Sequence, residues 1–167
     1  MKNLGRLTVS TMWLAFLVVA LPAGDALGQT TKDFIGTWEW VSVVNIRPDG
    51  TKVQLYGPNP KGVVIFDNSG RFFFLRSRPG RPKFASNNRN DGTPEENKAA
   101  VQGSLAYFGT YSVSDKTLIF KIEASTYPNA EGTEQKRMIT LTGDQLRYTN
   151  PTPTVDGTVE AILKRIK

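Results

Sequence analysis

From Phe34 onward, apolar and polar residues alternate in short runs that turn signals separate. "GTWEWVSVVNIR" alternates aromatic and β-branched side chains and stops at Pro48-Asp49-Gly50, the pattern of a strand ended by a turn. "GVVIF" and "RFFFLRS" flank "DNSG" and read as a hairpin, with Gly70 supplying the positive φ that its turn needs. "GTYSV", "TLIFKIEAS", "EQKRMITL", "QLRYTN" and "TVEAILKRI" follow at similar spacing. The pattern predicts about eight strands, mainly β and antiparallel, in a sandwich or barrel. Closure removes exposed sheet edges, and an eight-stranded ring has an interior that side chains fill or that holds one small ligand.

One segment departs from this period. "TPEENKAAVQGSLAYF" starts with Thr93 as a cap, Pro94 at the first helical position, and Glu95 and Glu96 in the first turn. It predicts one inserted helix over residues 94–107, with Ala100, Leu105 and Phe108 as its apolar stripe, lying across the sheet or closing one end of the barrel. The Asn-rich "ASNNRNDG" before it reads as a loop.

The start of the chain follows neither period. Lys2 and Arg6 precede the apolar run "MWLAFLVVALPA", and small residues follow in "GDALGQT". This is the pattern of a secretory signal peptide over residues 1–28, which makes residues 29–167 the mature domain, periplasmic or secreted. The run is short for a membrane span, which takes roughly 20 residues, so no stable membrane anchor is expected after cleavage.

Composition narrows the chemistry. The 167 residues contain no histidine and no cysteine. That excludes a Ser-His-Asp or Cys-His dyad, an imidazole base and a structural zinc site. No carboxylate cluster has metal-site spacing, and no phosphate loop, nucleophile elbow or dinucleotide fingerprint is present, so no cofactor and no metal are expected.

The ordered pieces "GTWEWVS", "PDG", "YGPNPKG", "RPGRPKF", "TPEENKAA", "AYFGTY", "KIEASTYPNAEGTEQKR" and "GDQL" run from Phe34 to Arg165. In this the chain resembles the bacterial and fungal lipocalin-like domain proteins. The resemblance implies a lipocalin-like barrel, with Trp38 of Gly36-Thr37-Trp38 plugging one end beneath Lys164 or Arg165 of the last strand. Some fungal relatives belong to small-molecule biosynthetic pathways. Relatives often carry a histidine just before the strand that holds Glu123; this chain has Phe120 and Lys121 there.

The candidate ligand-binding residues are Arg76, Arg78, Arg81, Tyr107, Tyr111, Glu123 and Arg137. Strand alternation puts Arg76 on the Phe72 face, where it needs a partner or a ligand if that face is the lumen. Arg78 and Arg81 sit beside prolines and read either as a bidentate clamp for an anion or as ties to loop carbonyls. Glu123 and Arg137 fall on strands that a hairpin through "YPNAEG" pairs, either as an exposed cross-strand ion pair or as a polar anchor in the lumen. Tyr107 and Tyr111 flank "YFGTY" as rim donors or packed aromatics.

Three functions fit. The leading one is a lipocalin-like protein that binds a small apolar or amphipathic molecule, with or without an acidic group, in its lumen. The second is an isomerase or cyclase that uses Glu123 with tyrosine and arginine side chains. The third is a basic surface for an anionic polymer or a membrane, since the net charge is +6 and the pI about 9.7. Export argues against nucleic acid as a partner, and the sequence leaves the oligomeric state open.

Overall fold

A computed structural model describes residues 29–167; the signal peptide expected over residues 1–28 lies outside them. The described chain forms β1 (Gly36–Ile46), β2 (Lys52–Gln54), β3 (Val63–Phe66), β4 (Arg71–Ser77), α1 (Pro94–Gln102), β5 (Ser104–Ser114), β6 (Thr117–Ser125), β7 (Glu134–Thr142), β8 (Gln145–Asn150) and β9 (Thr158–Arg165). Each strand from β3 to β9 pairs antiparallel with the next. β1 pairs with β3 through Gly36–Glu39 and returns to β9 from Trp38↔Arg165 to Ile46↔Thr158. Eight strands therefore close into a ring, while β2 lies beside the far half of β1 as a flap, Val44↔Gln54 to Ile46↔Lys52.

All eight predicted runs are strands, and Gly70 does turn with φ 82°. Two details differ from the sequence reading. β2 spans three residues, too few to show a period. The helix stops at Gln102 instead of residue 107: Gly103 N–H donates to the Ala99 carbonyl, and Ser104, Leu105 and Ala106 pair with Ser77, Arg76 and Leu75. Tertiary pairing along β4 thus overrides the helical tendency of the local sequence. The start of the helix is as predicted. The Thr93 hydroxyl accepts from Glu96 N–H at 3.2 Å, and the Glu96 carboxylate accepts from Thr93 N–H at 2.9 Å. The helix buries none of its residues, so it does not lie over the sheet.

A bulge on β1 between Trp40 and Ser42 shifts the register, so Trp38 and Trp40 point inward and then Val43 and Asn45 do. One end of the ring is filled with aromatic side chains. Phe34, in a short 3-10 turn (Thr31–Phe34), packs edge-on to Phe66 with ring centroids 6.1 Å apart. Trp38 is fully buried and its indole N–H donates to the Phe34 carbonyl at 2.8 Å. Of the two candidates for the contact above Trp38, Arg165 makes it: its guanidinium lies 4.1 Å from the ring centroid and donates to the Asp33 carbonyl at 2.7 Å and to the Ile35 carbonyl. Lys164 is exposed.

Arg165→Ala deletes the cation–π contact and both hydrogen bonds, and should destabilise the fold by about 2–3 kcal/mol in urea unfolding. Arg165→Lys should recover only part of that, because an ammonium cannot span two carbonyls and stack at once.

Acid should also weaken the barrel in a defined window. The Asp67 carboxylate accepts from the backbone N–H of Arg71 and Ser69 at 2.8 and 2.9 Å, which holds its pKa below the ordinary 3.8. A depressed folded pKa gives stability that is present above 3.8 and is lost as pH falls through the lower folded value. The melting temperature should therefore drop below pH 3.8, and Asp67→Asn should flatten that slope.

Candidate functional site

Side chains fill the ring from the Trp38 end upward, and a cavity of about 310 Å³ opens at the other end. The strand ends and loops that frame it are distant in sequence. Leu55 and Tyr56 follow the β2 flap, Gln102 ends α1, Tyr127 and Ala130 belong to the β6–β7 connection, and Pro153 to Val155 form a strap between β8 and β9. Leu105 and Val159 line the wall between them.

Three arginines reach this space: Arg76, Arg78 and Arg137. Among the described residues, no Asp, Glu or Lys lines it. Alternation along β4 puts Phe72, Phe74 and Arg76 on the inner face, so the run that is exposed at Phe73 ends with a guanidinium pointing inward. That guanidinium lies 4.6 Å from the Tyr56 ring centroid, 5.2 Å from Phe74 and 5.8 Å from Trp40. Its Nε is buried without a hydrogen-bond partner among the described residues.

Arg137 on β7 is only 4% exposed. Its guanidinium donates to the Gln135 side-chain oxygen at 2.5 Å and to the Lys136 carbonyl at 3.0 Å, and lies 5.8 Å from Tyr148 and 5.9 Å from Phe120. Among the described residues, neither Arg76 nor Arg137 is in an ion pair with a carboxylate. Aromatic faces partly substitute for one.

Tyr107 stands on the β5 wall, stacked on Phe74 with centroids 4.1 Å apart. Burial pushes its phenol up to about 12, with Arg137 pulling the other way. It stays protonated at neutral pH, so its hydroxyl is available as a hydrogen-bond donor.

The structure brings together four of the seven predicted site residues: Arg76, Arg78, Tyr107 and Arg137. Arg78 lines the mouth and donates to the Leu55 carbonyl at 2.8 Å, the loop tie that was one of its two readings. The other three lie elsewhere. Arg81 is exposed in an outer groove with Lys61, Lys83 and Arg89. Tyr111 faces the filled end, where its hydroxyl donates to the Asp67 carbonyl at 3.0 Å. Glu123 is on the outer face and pairs with Arg71 at 2.7 Å, not with Arg137, which lies opposite Leu118. The connection carrying the 3-10 turn (Pro128–Ala130) displaces β7 along β6, so the expected Glu123–Arg137 pair cannot form.

Tyr56, Gln135, Asn150 and the Pro153–Val155 strap also line the cavity and were not among the predicted residues. Spacing gives a signal for two of them. Gln135 shares the inner face with Arg137, and Asn150 shares it with Tyr148.

A guanidinium buried without a countercharge is costly, so replacing it with an apolar side chain should relieve the fold. Arg137→Met should raise the unfolding free energy of the ligand-free protein by about 1–3 kcal/mol, read by urea denaturation.

The barrel and its cavity can be set beside known proteins. Residues 35–163 match the model of the lipocalin-like domain family. The 4'-hydroxy-3'-methoxypropiophenone carrier protein ppsC of Aspergillus oryzae (strain ATCC 42149 / RIB 40) is 34% identical over 91 residues, which is 50% of this chain and 82% of that protein. Among solved structures, a lipocalin-like protein from Bacteroides uniformis superposes with a TM-score of 0.45 at 16% identity, over 80% of this chain and 99% of its own. A protein from Bacteroides eggerthii superposes with a TM-score of 0.42 at 15% identity, over 80% and 100%. The family pattern runs from the turn before the first barrel strand into the last, and the chain belongs to the lipocalin-like domain family.

Proposed function

We propose that this protein is an exported carrier, which holds one small amphipathic molecule in the mouth of its barrel and releases it unchanged. One observation supports this reading above the others: the cavity has aromatic and aliphatic walls, and two inward guanidiniums that no carboxylate among the described residues pairs with. Ligand sites combine a largely apolar lining with a few convergent polar groups, and a cavity of about 310 Å³ suits a molecule of roughly one ring with substituents. The ligand's ring packs between Leu105, Val159 and the strap, and its oxygen-bearing head turns towards Arg76, Arg137 and Tyr107.

The Aspergillus oryzae relative is named as the carrier of a hydroxylated aromatic ketone, a cargo of this size and polarity. The leader read from Lys2 to Gly28 supports export. The enzyme reading that relied on Glu123 loses its base, because that carboxylate is on the outer face in an ion pair with Arg71.

Native mass spectrometry of the protein purified from its own host tests the proposal. The expected result is one small molecule per chain, recovered chemically unchanged after release. Arg76→Met should lower the affinity for that molecule about 10- to 100-fold, the loss of one hydrogen bond to a charged group. Conversion of the released molecule on incubation with fresh protein would replace the carrier reading with an enzymatic one.

A further inference from the structure

We propose that the cavity takes weak acids as their anions: a phenol or carboxylic acid of single-ring size gives up its proton to the solvent as its head settles between Arg76 and Arg137. The inference rests on the reading of this cavity as a ligand site and adds the charge state of what it holds.

Placement of the two cations is the first argument. Arg76 is on β4 and Arg137 on β7, with only β5 and β6 between them, and both reach the same cavity. Tyr107, on the intervening wall, lies in the field of both guanidiniums, so one ligand head beside it meets two positive charges.

The second argument is what surrounds them. The titratable groups facing Arg76 are the phenols of Tyr148, Tyr56 and Tyr107, and those nearer the mouth are Arg78 and Tyr127. None of these is a carboxylate. The Arg76 Nε is buried and meets no acceptor among the described residues. A neutral ligand leaves this imbalance in place. An anionic one supplies the missing countercharge where a low local dielectric strengthens the attraction.

Thermodynamic linkage turns that preference into a pKa change. If the anion binds tenfold more tightly than the neutral acid, the bound acid ionises about one pH unit lower than the free one. The bond broken is the ligand's O–H, its electron pair stays on the ligand oxygen, and the proton passes to water or buffer. No imidazole or thiol is there to take that proton, since the sequence has no histidine and no cysteine. The Tyr107 hydroxyl keeps its own proton, because burial pushes the phenol up to about 12, and so it donates to the anion.

The probe is 4-nitrophenol, whose phenolate has its own visible absorbance band, with 4-nitroanisole as a neutral molecule of nearly the same shape. The full protein is titrated with each across the pH range where free nitrophenol ionises. The expected result is that bound nitrophenol deprotonates at least one unit below the free probe, an acid dissociation constant raised about tenfold or more. Nitroanisole should bind more weakly by a matching factor. Arg76→Met and Arg137→Met should each return the midpoint towards that of the free probe, which assigns the shift to the two guanidiniums. The wild-type midpoint decides the question even if a variant misfolds. An unchanged midpoint with equal binding of both probes overturns the anion inference and leaves the carrier reading standing. Binding of neither probe overturns both.

Discussion

The stack of the Arg165 guanidinium on the Trp38 indole is the contact on which the barrel's two different ends depend. Trp38 is fully buried, and Arg165 covers it 4.1 Å away while tying down the carbonyls of Asp33 and Ile35. The N-terminal 3-10 turn is thereby folded back over the ring, and Phe34 is pressed against Phe66. An eight-stranded ring has room for little more than its own side chains. With the space near Trp38 taken, the remaining free volume lies at the opposite mouth, where Arg76 and Arg137 project.

Arginines on the two faces of this sheet behave differently for reasons of solvation. Arg71, on the outside, pairs with Glu123 where both side chains are nearly half exposed, and such a pair contributes at most about 1 kcal/mol. Arg76 and Arg137 are surrounded by aromatic rings and, among the described residues, pair with no carboxylate. The outer pair therefore adds little to the stability of the fold. Desolvation of the inner two works against folding, and they are cations that face the cavity. The aromatic core from Phe34 to Phe120 offsets that cost, and it runs without a break to Tyr107 and Tyr56 at the mouth.

Most of the fold was legible because half-covered strands print their period onto the sequence. The alternation of Phe72, Phe74 and Arg76 put Arg76 on the inner face, and the structure keeps it there. The same logic failed where register matters. Bulges at Val41 and near Gly109 move the pairing by one residue, and no local pattern marks them. The Glu123–Arg137 pairing failed for a related reason, since the length taken up by the Pro128–Ala130 turn cannot be read from residue types. The helix was overextended because Ser104 to Tyr107 carry no strand signal of their own; they become strand through β4. Tyr56 and the Pro153–Val155 strap reach the cavity from loops, where periodicity gives no information.

Ring closure also constrains the order of events during synthesis. The hydrogen bond that joins Ile35 to Arg165 links residues 130 positions apart. Closing so long a loop costs entropy before any contact offsets it, and folds dominated by such distant pairings form slowly. β1 leaves the ribosome long before β9 exists, and until then the edge that β9 will cover is bare, with two tryptophans beside it. The nascent barrel therefore cannot complete itself, and the chain stays unfolded, in need of protection from aggregation, until its last strand has been made.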